Sequence, residues 1–161
     1  MGYNTDFTGA FNVTPTLKPE HIAYLAKFCE TRRMYRDQDL ASQLPDPVRK
    51  AAGLPVGTDG AYFVGGDGYC GQTADASVVL YNHPPREQPG LWCQWEPSED
   101  GALIRWDGGE KFYNYIAWLK YLVKHFLQPW GYTLNGRVKW RGEDEGGTGV
   151  IVARDNDIWT E

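Results

Sequence analysis

The sequence predicts a mixed α+β domain organised around an antiparallel sheet, and three observations carry that expectation. Residues 6–14 alternate: Phe7, Gly9, Phe11 and Val13 fall on one face, and Asp6, Thr8, Asn12 and Thr14 on the other. That is the period of a half-buried strand. Phe112, Tyr115, Ile116, Leu119, Leu122, Val123 and Phe126 keep helical spacing, which places one apolar stripe on a core. Two short apolar runs, 91–96 and 102–106, flank the turn Pro97-Ser98-Glu99-Asp100-Gly101, the pattern of a hairpin.

In chain order, Pro15 stops the first strand. Thr16 can cap a helix with Pro19 in its first turn, and Ile22, Leu25, Ala26 and Cys29 form its buried stripe. The helix leads into Arg32-Arg33-Met34-Tyr35-Arg36. Cations suit a helix C-terminus, and an anion site is the alternative reading of the cluster. Residues 37–90 are punctuated by Pro and Gly and read as an insert. It holds a short helix at 46–52 capped by Asp46 with Pro47 at its first position, strands at 61–64 and 77–81, and a proline-stiffened loop at 82–90. Asp107 and Glu110 form an acidic variant of the capping box for the long helix, which Pro129 and Gly131 end. Tyr132, Leu134, Val138 and Trp140 share one parity across Asn135-Gly136. One strand with an irregularity is therefore preferred there over a tight turn. Val150-Ile151-Val152 follows as its partner. With the insert set aside, the order is β-α-β-β-α-β plus one strand. It predicts a ferredoxin-like two-layer sandwich, an antiparallel sheet with two helices on one face, in a single domain 1–161.

Composition narrows the function classes. With 42% hydrophobic and 23% charged residues the chain is globular rather than disordered. A net charge of −5 disfavours nucleic acid and anionic membrane surfaces as partners. Cys29, Cys70 and Cys93 include no C-x-x-C pair, so reduced thiols are expected rather than a zinc site or a disulfide framework. His21, His83 and His125 lack metal-ligand spacing, and no metal or cofactor is expected. The start of the chain has neither the basic nor the apolar region of a secretory leader. No run is apolar enough to cross a bilayer, and a cytoplasmic location is expected.

Several runs belong together: Met1-Gly2-Tyr3-Asn4-Thr5-Asp6-Phe7, Gly90-Leu91-Trp92-Cys93-Gln94-Trp95, Trp106-Asp107-Gly108-Gly109-Glu110-Lys111-Phe112-Tyr113, and Pro129-Trp130-Gly131-Tyr132 with Leu134-Asn135-Gly136. Over nearly its whole length the chain resembles a family of small bacterial and phage-associated proteins. The resemblance implies a cytosolic, stand-alone domain and carries over no catalytic residue.

Candidate chemistry is sparse. Gly65-Gly66-Asp67-Gly68-Tyr69-Cys70-Gly71 is glycine-rich, yet it lacks the Gly-Lys-Ser/Thr ending of a phosphate loop. Ser42, Ser77 and Ser98 sit in no nucleophile elbow. The carboxylates Glu143-Asp144-Glu145 and Asp155-Asp157 read as solvated turns. The aromatic residues are more informative. Trp92 and Trp95, on one predicted strand, point to opposite faces, so one ring is either exposed or covered by the insert. Tyr81, Asn82, His83 and Arg86, from the preceding loop, can form a rim around it. Aromatic residues with a nearby Arg make binding hot spots. The expected function is therefore a non-enzymatic binding protein that recognises a protein partner or a small ligand, with Tyr81, Asn82, His83, Arg86, Trp92 and Trp95 as its site. An inhibitor or immunity-type factor in phage–bacterium conflict fits the family resemblance. One alternative is a small hydrolase or transferase using His83, Arg86, Cys70 and Glu110 in a cleft beside the insert. Another is a ligand-sequestering oligomer.

Overall fold

The computed structural model describes residues 2–66 and 73–161. In chain order the elements are β1 (Thr5–Thr14), α1 (Pro19–Cys29), β2 (Tyr35–Arg36), α2 (Gln38–Ser42), α3 (Pro47–Ala51), a 3₁₀ turn (Thr58–Gly60), β3 (Val78–Leu80), β4 (Trp95–Pro97), β5 (Leu103–Trp106), α4 (Tyr115–Leu122) continuing as a π turn (Val123–Leu127), β6 (Thr133–Gly142), β7 (Thr148–Arg154) and β8 (Asp157–Thr160). The fold is mixed α+β with one large antiparallel sheet. The chain divides into two compact units, residues 1–18 with 94–161, and residues 19–93.

The first unit holds the sheet, in the order β4-β5-β1-β6-β7-β8. Its spine is the ten-residue ladder of β1 against β6, which runs from Thr5↔Gly142 to Thr14↔Thr133. Alternation sends Phe7, Phe11 and Val13 inward with Leu134, Val138, Ile104 and Ile151, all buried. Asp6, Thr8, Lys139 and Arg141 face outward and are exposed. Two glycines shape the spine. A Cβ on Gly9 would press on the Arg137 carbonyl, and one on Gly136 on the Ala10 carbonyl and the Phe11 Cα, each at 3.0 Å. Both have positive φ, 105° and 144°, a region other residues rarely adopt. The expected irregularity at Asn135-Gly136 therefore sits inside a continuous strand.

Phe7 is the hub of the core. Its ring meets those of Tyr115, Trp95, Trp106 and Phe112 edge to face, with centroids 5.0, 5.2, 5.3 and 5.8 Å away. Such geometry adds to simple burial because a ring's positive edge meets a negative face. The Trp95 indole N–H donates to the Tyr115 carbonyl at 2.8 Å and ties strand β4 to the start of α4. The capping box expected at Asp107 and Glu110 does not form. Asp107 instead accepts from the Gly109 amide, closing its own turn, and Glu110 is exposed. The helix starts after Asn114, which is left-handed at φ 58°. The intervening residues 107–114 bring Phe112 into the core before the helix begins.

The second unit contains α1, whose Tyr24, Leu25 and Phe28 are buried. A smaller cluster packs Ala41, Val56 and Phe63 with Leu44. A two-stranded ribbon pairs β2 with β3. The strand expected at 61–64 is absent. Its backbone groups bond to nearby turns and to side chains rather than to another strand. The amides of Ala61, Tyr62 and Phe63 donate to the carbonyls of Thr58, Val56 and Gly60. The Tyr24 hydroxyl donates to the Tyr62 carbonyl, Arg33 donates to the carbonyls of Ala61 and Phe63, and Asp46 accepts from the amides of Val64 and Gly65. The strand expected at 91–96 shrinks to β4, so Trp92 lies outside it.

The expected ferredoxin-like sandwich is not what the elements establish. The sheet has six strands, extended beyond β6 by β7 and β8. Four helices occur among the described residues, and only α4 belongs to the unit that carries the sheet. The surplus arises because residues 157–160 alternate weakly, and no sequence period marked them as a strand.

Phe7→Ala should cost about 3–5 kcal/mol, the range for a large aromatic lost from a packed core. Thr8→Ala, its outward neighbour, should change stability by no more than about 0.5 kcal/mol. Urea unfolding of both variants checks the assignment of faces.

Candidate functional site

The residues that sequence reasoning proposed as a rim do come together in part, on the second unit. Among the described residues, strand β3 is paired along one edge only, with β2. Just beyond it, Arg32 stacks on the Tyr81 ring, with its guanidinium carbon 4.4 Å from the centroid. Arg32 also donates to the Tyr81 carbonyl at 3.1 Å and to the Asn82 side-chain oxygen at 2.9 Å. These bonds hold the tyrosine ring at the surface instead of leaving it free to rotate. His83 follows, exposed, with its carbonyl accepting from the Tyr35 amide at 2.8 Å. Val79, Leu80 and Tyr81 are 56%, 45% and 37% exposed. Three consecutive large apolar side chains open to water on an edge strand form an interaction-prone surface.

Arg86 has a different role. Its side chain is 71% exposed, but its Nε and Nη2 grip both oxygens of buried Asp59 at 3.0 and 3.2 Å, and its own amide adds a bond at 3.2 Å. Asp59 sits at φ 60°, ψ 20° in the turn 58–60, a left-handed conformation that Asp tolerates better than most residues. The pair clasps the loop around Arg86 onto that turn. The Arg86 side chain holds the Asp59 carboxyl below its ordinary range, against the opposing effect of burial.

The remaining candidates do not join this surface. Trp95 is a correction: it is fully buried in the aromatic core of the first unit and is not available to a partner. Trp92 is half-buried in the second unit. Glu110 is exposed in the first unit, where its carbonyl accepts from Gln94. Residues 67–71 of the glycine-rich run, Cys70 among them, lie outside the described residues.

The basic cluster 32–36 also departs from expectation. It does not decorate a helix end, because α1 stops at Cys29. Only Arg32 of its three arginines reaches the surface patch. Arg33 and Arg36 are buried, and each lies over an aromatic ring, Phe28 at 4.2 Å and Phe63 at 4.3 Å. Sequence reasoning missed Arg32, Arg36, Asp59 and Asp75 as structural actors. The one available signal was the density of arginines between 32 and 36. Among the described residues, no group of three His, Cys, Asp or Glu side chains is placed to hold a metal ion.

No family model, no curated protein and no solved structure matches the chain. These comparisons lend no support to the expected likeness to bacterial and phage-associated proteins.

The Asp59–Arg86 clasp has a pH signature. The folded state lowers the pKa of Asp59 below its unfolded value near about 3.9. Its contribution is therefore present above that pH and is lost as pH falls through the lower, folded value. Wild-type protein should lose more stability between pH 6 and pH 3 than Asp59→Asn does, as read from urea midpoints at the two pH values.

Proposed function

We propose that this chain is a non-enzymatic binding protein and that the β2–β3 ribbon receives an extended segment of a partner protein. The observation that carries the reading is the run Val79-Leu80-Tyr81, apolar and open to water, at the end of a strand that among the described residues is paired along one edge only. An incoming strand would satisfy that edge with main-chain bonds, and its alternating side chains would cover Val79 on one face and Leu80 on the other. Tyr81, braced by Arg32, supplies a rigid aromatic anchor of the kind that dominates binding energy. Arg32 also favours a partner segment with a carboxylate nearby. The motif resemblance points the partner toward a protein of phage–bacterium conflict and the chain toward an inhibitor or immunity-type role. The strand order β4-β5-β1-β6 supports a ferredoxin-like core, extended by β7 and β8, as the scaffold of the first unit.

The enzymatic alternative has less support. Among the described residues, no side chain pairs with the His83 imidazole to make an acid–base or nucleophilic set. Arg86 is engaged with Asp59.

The test compares partner capture from bacterial lysate by wild type, Val79→Glu, Leu80→Glu and Trp159→Glu, the last an exposed aromatic on the other unit. The expected outcome is one protein retained by wild type and Trp159→Glu and reduced more than about tenfold by either strand variant, as burying a charge in an apolar contact requires. Equal retention by all four chains would overturn the reading.

A further inference from the structure

A second site lies in the same unit, at the buried end of the ribbon. A pocket of about 180 Å³ is lined by Arg36, Leu44, Pro45, Phe63, Thr73 and Asp75, with Gly65 and Gly66 beside them. The Arg36 side chain is 3% exposed. Its guanidinium uses one nitrogen only: Nη1 donates to Asp75 Oδ2 at 2.9 Å and to Ser77 Oγ at 2.8 Å. Among the described residues, Nε and Nη2 have no hydrogen-bond partner. Neither atom is among the buried polar atoms shut off from solvent. A buried cation that lines the pocket thus keeps one complete edge of its fork without a partner among the described residues.

The surroundings fix this fork in place. The stem of Arg36 crosses Gly60, where a Cβ would lie 2.7 Å from the arginine's own Cβ. The guanidinium plane rests over Phe63. Asp75 is committed elsewhere, since its Oδ1 accepts from both the amide and the hydroxyl of Ser77. Holding a donor set rigid before the ligand arrives removes an entropic cost of binding.

We propose that this pocket binds a small monocarboxylate, with its two oxygens on the Nε and Nη2 edge of Arg36 and a short aliphatic chain between Leu44, Pro45 and Phe63. The planar fork matches a carboxylate oxygen pair in geometry. Charge selects the monoanion. Among the described lining residues Arg36 and Asp75 together are neutral, so every negative charge a ligand brings is opposed by Asp75, and a phosphate dianion brings two where a carboxylate brings one. Size agrees: a pocket of about 180 Å³ has room for a carboxyl group and a chain of a few carbons. This site is distinct from the apolar strand surface, and the two proposals fail independently.

The test is isothermal titration of the full chain with sodium butyrate, butyramide and inorganic phosphate. Butyrate should bind with one-to-one stoichiometry, and butyramide, of the same shape without the charge, at least about tenfold more weakly, as loss of a charged hydrogen-bonded pair implies. Asp75→Asn should tighten butyrate several-fold by removing the neighbouring negative charge. Gly66→Leu should abolish binding, because Gly66 lines the pocket, a Cβ there meets the lining residue Pro45 at an ordinary 3.6 Å, and a leucine would take up the space between them and the ligand. Partner capture through Val79 and Leu80 should be unchanged in Gly66→Leu. Absence of butyrate binding, equal binding of butyramide, tighter binding of phosphate, or full binding by Gly66→Leu would each overturn the proposal.

Discussion

A buried stretch of chain without a strand partner sets the terms for the second unit. Residues 61–66 run through its interior, yet their amides and carbonyls cannot be left unpaired away from water. The amides of Ala61, Tyr62 and Phe63 bond to the carbonyls of Thr58, Val56 and Gly60, and side chains answer the rest of that demand. Arg33 and Tyr24 donate to carbonyls, Lys27 reaches the Gly66 carbonyl at 2.6 Å, and Asp46 accepts from two successive amides while its other oxygen holds Arg49. Arg33, Asp46 and Arg49 are buried here with bonds to the backbone, and Arg36 with bonds to Asp75 and Ser77. That is the condition under which burying a charge becomes tolerable. Removing one partner would strand the other, so this unit depends on its polar interior as a set.

The first unit solves the same problem by regular means. The β1–β6 ladder pairs backbone with backbone over its full length, which frees the inward face for apolar and aromatic side chains. Phe7 can then serve as a hub because its neighbours on both sides of the core are rings that meet it edge on. Glycine appears where the packing has no space for a side chain. Gly149 lies beneath the Trp140 indole, and a Cβ there would overlap the ring. An aromatic covering a strand glycine restores the contact that the missing side chain would have made.

These two solutions explain where binding chemistry collects. A face filled by rings leaves few donors to aim at a ligand. A core stabilised by arginines leaves a donor edge wherever one of them is only partly satisfied, as at Arg36. The surface of that unit shows the complementary feature: the ribbon is too short to cover its own edge, and Val79, Leu80 and Tyr81 stay in water. The Asp59–Arg86 clasp connects these features to pH, because it secures the loop that leaves Tyr81 through a carboxylate that must be ionised to hold it.

Much of the first unit was legible in the sequence. Parity along residues 6–14 and 132–140 gave two strands and their inward faces, and helical spacing gave the long helix, because both periods follow from local backbone geometry. The same local view placed Glu110 in a cap, where it does not lie, and named Trp95 among the binding residues without deciding whether Trp92 or Trp95 is exposed; Trp95 is buried. Whether Trp95 faces the core depends on Phe7, Phe112 and Tyr115, and where the helix starts depends on drawing Phe112 inward. In the second unit almost nothing was legible beyond α1, the short helix behind Asp46 and the run at Val78. Its cluster of arginines looked like a solvated helix end. By itself the sequence determined which stretches repeat with the period of a strand or a helix. Only the tertiary structure decided which charges lie inside, because an arginine is buried or exposed according to the carbonyls, carboxylates and rings that distant parts of the chain bring to it.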